Sequence, residues 1–513
     1  MNLTQGLHRA LQQHPDAAAT VCAGRTRTHR ESLDRIARLA AALQDRGIED
    51  GERAAVLALN SDRYHEFLAA TWWAGGVVVP VNTRWSVAEI ADSLAEVDAR
   101  VLVVDDTFAG HVDGIRAADG RIEHVVHAGE QQAGPTSSEQ LIADAEPIDD
   151  ERRGGDDLAA IFYTGGTTGR SKGVMLSHAN LLVSTMGMLA TEHFVAPDAV
   201  YLHAAPMFHL ADLAAWLGVV VRGATHVMVP GFDPVAVLQA IETHRVTDVL
   251  LVPTMIQLLV DHPRIDEFDL TSLRRITYGA SPMSEGVLGR ALKALPNARF
   301  TQAYGMTELS PGATMLAPAD HEDPQRRRSA GRALPHCEVR IVGPDDAELP
   351  RGEVGEVVVR GGNVMLGYWN RPAETADALR GGWMHTGDGG RMDDDGFVYL
   401  TDRIKDMIIT GGENVYSLEV ENVIAQHPAV ATVAVIGVPD ETWGERVHAV
   451  VVPAAGRRPE LDELREFCRD KLAGYKIPHT MEVMAALPLN AAGKVLKREL
   501  RRPFWEGMDR AVH

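Results

Sequence analysis

The sequence predicts a multidomain α/β protein. Two doubly wound β/α units and a small β-barrel make up a large N-terminal domain, residues 1–401, and a small α+β domain follows, residues 402–513. Three observations predict it. At 513 residues the chain exceeds what one hydrophobic core serves. Short apolar runs bounded by glycine or polar residues alternate with stretches of helical spacing, as in parallel strands covered by helices. After residue 402 a shorter set of strands and one strongly periodic helix stands apart from what precedes it.

Taken in order, residues 30–43 place apolar side chains on one helical face, and residues 53–59, 76–79 and 100–105 are short buried-strand runs. Residues 119–155 are charged and Gly/Pro-containing, and are expected to be surface connections. A further apolar run, 158–162, precedes a glycine-rich segment, and residues 177–193 follow as a capped helix. Strand runs at 200–205, 225–229 and 248–252 continue the alternation as a second doubly wound unit, whose strand ends should carry the ligand. Between about 329 and 356 the helical signal fades. Runs at 339–342 and 355–360 read as the small β unit. Strands at 430–437 and 448–452 with a helix at 461–472 form the terminal domain.

The most informative stretch is Tyr163-Thr-Gly-Gly-Thr-Thr-Gly-Arg-Ser-Lys-Gly173. A strand, a glycine-rich loop and then a helix would turn backbone N–H groups toward a phosphate. Gly165, Gly166, Gly169 and Gly173 remove side chains that would block approach, Thr164, Thr167 and Thr168 add hydroxyl donors, and Lys172 adds a mobile positive charge. The spacing is not that of a Walker loop, because Lys172 is followed by Gly173 rather than by a hydroxyl residue.

Composition narrows the partners. With 45% hydrophobic and 24% charged residues the chain is of ordinary globular type, and a net charge of −21 argues against a nucleic acid. An acidic protein that binds a polyphosphate must gather its positive charge locally. Cys22, Cys337 and Cys468 are odd in number and widely spaced, which suggests neither a disulfide framework nor a zinc site and fits a reducing compartment. With no apolar run long enough to span a membrane and no signal-peptide pattern at the start, the expected location is cytoplasmic.

Further motifs carry chemistry. In Gln302-Ala-Tyr-Gly-Met-Thr-Glu308, Tyr304 offers a ring face for a base and Gly305 lets the backbone come close. Thr307 can donate to a phosphate, and Glu308 supplies a hard oxygen for Mg²⁺. In Trp383-Met-His-Thr-Gly-Asp388 an ionised Asp388 can accept from both hydroxyls of a ribose. Gly411 and Gly412 leave room for a narrow arm to pass the backbone.

This ordered set resembles the adenylate-forming superfamily, and within it the acyl-CoA synthetases that ligate fatty and aryl acids, over essentially the whole chain. Two positions depart from the usual wording: Gly166, where serine is common, and Ser171, where proline is common. The resemblance implies ATP, Mg²⁺ and coenzyme A as co-reactants, and admits a homodimer. It assigns the ATP site to residues 164–169, Lys172, Gly279, Ala280, Gln302, Ala303, Tyr304, Gly305, Thr307, Asp388 and Arg403, with Thr168 and Glu308 toward the metal. It makes His209 the wall between acid and ATP, and Leu210, Ala211, Asp212, Ala215 and Trp216 would follow it down the acid pocket, with Gly305 opposite. Asp402 and Lys405 would form the hinge of a mobile C-terminal domain, Gly411 and Gly412 the CoA passage, and Lys494 the catalytic lysine.

The implied reaction is attack of a carboxylate on the α-phosphorus of ATP, giving an acyl-adenylate, followed by attack of the CoA thiol. The absence of a Ser/His/Asp or Cys/His set fits a route with no protein nucleophile. Medium- or long-chain fatty acids are the first expectation and aromatic acids follow closely. A dicarboxylic acid is disfavoured, because Asp212 near the expected pocket would repel a second carboxylate. Leu210 stands where amino-acid activators usually carry an aspartate, which disfavours amino acids and leaves acyl loading of a carrier protein as the rival.

Overall fold

The computed structural model describes the chain except residues 119–120, 132–136, 165–170, 282, 404–405, 412, 441, 490–494 and 507–513. Two large sheets, a four-stranded antiparallel sheet and a C-terminal sheet organise it. In the first large sheet Arg53–Leu57 is flanked in parallel by Val77–Pro80, the central strand of seven, and by Val101–Val104. All four residues of Val77–Pro80 and of Val101–Val104 are buried, which explains unbroken valine runs where a half-exposed strand would alternate. Helices before and between these strands begin at sequence-encoded caps. Thr28 with Glu31, and Ser86 with Glu89, each form a reciprocal capping box.

The structure corrects three expectations. Residues 119–155 are not all surface connection: His124–His127 pairs in parallel with Val101–Val104, and Ser138–Asp144 is a helix. Val126, almost wholly buried, is the apolar residue that earns this strand its place. The glycine-rich segment does not run from strand into helix. Leu158–Thr164 and Lys172–Ser177 pair antiparallel, with Thr164 opposite Lys172, so the segment joins the two arms of a hairpin. The helix His178–Ala190 starts only after the second arm, capped by Ser177 and Asn180. That hairpin belongs to the first sheet, through Leu158–Thr164 beside Val77–Pro80, and not to the second.

The second large sheet keeps Val200–His203, Thr225–Met228, Asp248–Leu251, Arg275–Gly279 and Arg299–Gly305 in parallel. The antiparallel strand Gly312–Leu316 flanks them on one side. On the other side lies Ala18–Cys22, drawn from the start of the chain. Thus the start of the chain contributes to the second sheet and not to the first. In the small β unit Cys337–Val342, Gly355–Gly361, Met384–Met392 and Val398–Arg403 form a four-stranded path, a half-barrel. The C-terminal sheet is built only from residues beyond these: Ile408–Thr410, Glu413–Val415, Val430–Asp440, Gly444–Pro453 and Thr480–Val483. Its own apolar core includes Ile408, Val435, Val447 and Leu464.

Candidate active site

A cleft of some 3480 Å³ opens beside the carboxyl ends of Arg275–Gly279 and Arg299–Gly305. It is larger than the few hundred to a thousand Å³ of a single small-ligand pocket. Residues of the C-terminal sheet and of the helix Lys497–Trp505 complete its wall.

The backbone sets the slot near the strand ends. A Cβ at Gly279 would lie 2.2 Å from the Ala303 carbonyl, and one at Gly305 would lie 1.8 Å from that of Pro311, so neither position holds a larger residue. Ala280 takes the left-handed conformation, φ 65°, which a non-glycine residue rarely adopts and which strains the turn at the rim. Gln302, Ala303, Tyr304 and Thr307 line the cleft beside them. The Tyr304 hydroxyl donates to Asp388 Oδ2 at 2.8 Å, linking the second sheet to the half-barrel. In that half-barrel Arg403 stands opposite Asp388 in the register.

Across the cleft, Thr164 and Lys172 end the two arms of the hairpin. Lys172 Nζ lies 4.8 Å from the centre of the Tyr368 ring, and Tyr368 donates its hydroxyl to Glu308 Oε1 at 2.8 Å. Burial, and next the Glu308 charge, push the Tyr368 phenol well above its ordinary range, so it stays a donor. Glu308, 5% exposed, presents a hard-oxygen donor that suits Mg²⁺, an ion that takes few protein ligands and keeps much of its water.

His209 is the N-cap of the helix Leu210–Arg222 and lines the cleft. Its Nδ1 accepts from the Ala211 N–H at 3.3 Å, which leaves the proton of the neutral ring on Nε2. Asn60 fixes the preceding turn. Its amide donates to the carbonyls of His203 and Ala205, and its carbonyl accepts from Met207 N–H. Of the helix residues expected to follow His209, Leu210 and Ala211 face the cleft, and Ala214 joins them.

Asp212, Ala215 and Trp216 do not line it, because helical spacing turns them toward the core. Asp212 is fully buried and accepts from His203 Nδ1 at 2.8 Å, and His203 in turn meets His226 at 3.0 Å. Trp216 donates Nε1–H to His65 Nδ1 at 2.9 Å. Asp212 is therefore not placed to repel a second substrate carboxylate in the cleft. The floor the sequence reading missed comprises Met188, Phe194 and Leu250, which line the cleft and share one apolar cluster with Ala214. They come from a helix, the loop that follows it and a strand, and no local pattern marks them.

Gly411 adopts φ 59°, and a Cβ there would meet the Trp443 ring at 2.7 Å, so glycine is required; Trp443 lines the cleft. Gly165, Gly166, Thr167, Thr168, Gly169, Lys405, Gly412 and Lys494, and the side chains of Asp402 and Arg403, lie outside the described residues. No helix of the described residues is long and apolar enough to cross a membrane.

Strand ends carrying close-packed glycines, with a lysine and carboxylates lining one cleft, are those of a nucleotide-using α/β enzyme. Residues 7–369 match the family model of the AMP-binding enzymes, and residues 419–494 match that of the AMP-binding enzyme C-terminal domain. Over 497 residues the chain is 43% identical to a feruloyl-CoA synthase from Amycolatopsis sp, covering 97% of this chain and 98% of that one. It is 37% identical to the fatty acid–[acyl-carrier-protein] ligase ScoC from Streptomyces coeruleorubidus, covering 98% and 96%. The ATP-bound structure of MatB from Rhodopseudomonas palustris superposes with a TM-score of 0.89 at 33% identity, over 99% of each chain. The chain belongs to the AMP-binding enzymes, the adenylate-forming superfamily that its motifs resemble.

Proposed function

We propose that the protein is an ATP- and Mg²⁺-dependent, AMP-forming acid–CoA ligase for an apolar carboxylic acid, with compact aryl acids ahead of medium- and long-chain fatty acids. The observation that carries the substrate class is the floor beside His209. There Met188, Phe194, Ala214 and Leu250 both line the cleft and belong to one buried apolar cluster, against which Ala211 packs. The similarity to a feruloyl-CoA synthase supports the aryl reading, and the similarity, at lower identity, to a fatty acid–[acyl-carrier-protein] ligase supports fatty acids as the second reading.

A carboxylate is a poor acyl donor, because its leaving group would be oxide. In the proposed first step one carboxylate oxygen bonds to the α-phosphorus of ATP, the bond to the β-phosphoryl oxygen breaks, and pyrophosphate leaves. Tyr304 flanks the adenine, with Gly279 and Ala280 opposite, and Asp388 accepts from the ribose. Thr164, Thr167, Thr168 and Lys172 meet the phosphates. Glu308 and Thr168 would hold Mg²⁺, which supplies charge neutralisation when bound. His209 separates acid from nucleotide, and Lys494 meets the charge that gathers between them. In the second step the thiol sulfur of CoA bonds to the acyl carbon, AMP departs with the electron pair, and the thiol proton passes to solvent.

The division into residues 1–401 and 402–513 forms part of the proposal, with a hinge at Asp402–Lys405. The half-barrel strand Val398–Arg403 runs into that hinge and the first C-terminal strand Ile408–Thr410 follows it, and the two family models fall on either side of it. Gly411 and Gly412 then face the site in the second step.

The test is release of pyrophosphate and AMP from ATP and Mg²⁺ across a panel of aryl, fatty and dicarboxylic acids, with and without CoA. Strong stimulation by CoA with aryl acids bears the proposal out. Adenylation indifferent to CoA overturns it in favour of carrier-protein loading.

A further inference from the structure

Tyr368 lies outside every motif that the sequence singles out, yet it touches two groups that the proposed chemistry needs. It is 8% exposed. Its hydroxyl donates to Glu308 Oε1 at 2.8 Å, and its ring carries the Lys172 ammonium at 4.8 Å from the centroid. Its backbone is as firmly held. Gly367–Tyr368 pairs antiparallel with the second arm of the hairpin, Tyr368 opposite Val174, and Tyr368 N–H donates to Thr375 Oγ1 at 2.9 Å. Met365 N–H binds the Glu308 carbonyl at 2.9 Å, so the same short segment fixes Glu308 by its main chain as well.

We propose that Tyr368 is a positioning residue for the metal–triphosphate: its hydroxyl orients the Glu308 carboxylate, and its ring keeps Lys172 over the same spot. The inference rests on the ATP-dependent reading above. A carboxylate offers about four acceptor directions, so one phenol orients Glu308 without saturating it. An ammonium over an aromatic face is held without a partner anion, and a triphosphate can draw it away. One buried side chain thereby sets the spacing between the acidic and the basic group that meet the nucleotide.

The variant Tyr368→Phe deletes the hydroxyl and keeps the ring, while Tyr368→Leu deletes both. Binding is read by calorimetry with ATP in EDTA and with Mn²⁺·ATP, and by the electron paramagnetic resonance of bound Mn²⁺. Tyr368→Phe should weaken Mn²⁺·ATP about tenfold or more, the loss of one hydrogen bond to a charged group, and leave metal-free ATP within about twofold. Tyr368→Leu should weaken both. Wild-type affinity of Tyr368→Phe for Mn²⁺·ATP overturns the proposal, and so does an equal loss with and without metal, which a packing role would give. Glu308→Gln separates the levels. If it weakens Mn²⁺·ATP while Tyr368→Phe does not, the Tyr368 proposal alone fails. If Glu308→Gln changes nothing, the metal reading of Glu308 fails with it.

Discussion

The Tyr304 hydroxyl donates to Asp388 Oδ2 across 2.8 Å, tying the last parallel strand of the second sheet to the longest strand of the half-barrel. Two residues that the sequence offers separately, one for a base and one for a ribose, are thus a single unit. Tyr304→Phe keeps the ring and deletes this hydrogen bond. The apparent KM for ATP should rise up to about tenfold, with kcat changed far less, since a hydrogen bond to a charged group contributes about 1.5 kcal/mol. Steady-state kinetics with varied ATP check it, and an unchanged KM counts against the unit.

Asp212 holds His203 and does not face the acid. Asp212→Ala should therefore cost stability, about 3 kcal/mol for breaking a fully buried pair, and leave the ranking of acid substrates as it was. Urea unfolding and the acid panel measure the two halves of this statement. A gain of activity toward dicarboxylic acids would show that Asp212 reaches the pocket after all.

Lys494, on the proposed division of labour, serves only the first step. Lys494→Ala should lower ATP–pyrophosphate exchange by two or more orders of magnitude, on the scale of losing one donor to developing charge. Thioester formation from supplied acyl-adenylate should stay within a few-fold. Equal loss of both half-reactions would remove the case for two orientations of the C-terminal domain.

His65 is buried between Ser32 and Trp216, with Nδ1 accepting from the indole. Burial, and then the neighbouring His203, lower it to about 3. Unfolded, it titrates near 6.5, so between these values the unfolded chain binds the extra proton and stability falls as pH falls. From pH 6.5 to 5 His65 alone should account for about 2 kcal/mol. His226, also lowered by burial, acts in the same direction. Glu66 and Asp248, which burial raises, act the other way once they protonate. Unfolding free energies at pH 7.5, 6.5 and 5 check this, and a flat profile refutes it.

Much of this was legible in the chain because local signals agreed with the tertiary outcome. The valine runs are buried parallel strands, and the Tyr304–Glu308 motif lies in the cleft where its chemistry requires. The glycine-rich segment misled as to its setting. Its composition suits a turn of any kind, and only the pairing of Thr164 with Lys172, a tertiary fact, makes it a hairpin. Asp212 misled because proximity to His209 in sequence says nothing of the helical face. Tyr368 was not visible at all, since its two partners lie 60 residues and far more upstream.

On the proposed chemistry the acid is activated as an adenylate before thioester forms. This is tested most directly by supplying an acid labelled with ¹⁸O in its carboxylate, with ATP, Mg²⁺ and CoA, and analysing the products by mass spectrometry. One ¹⁸O in AMP and none in pyrophosphate is the predicted result. Label in inorganic phosphate, or AMP without label, would contradict it.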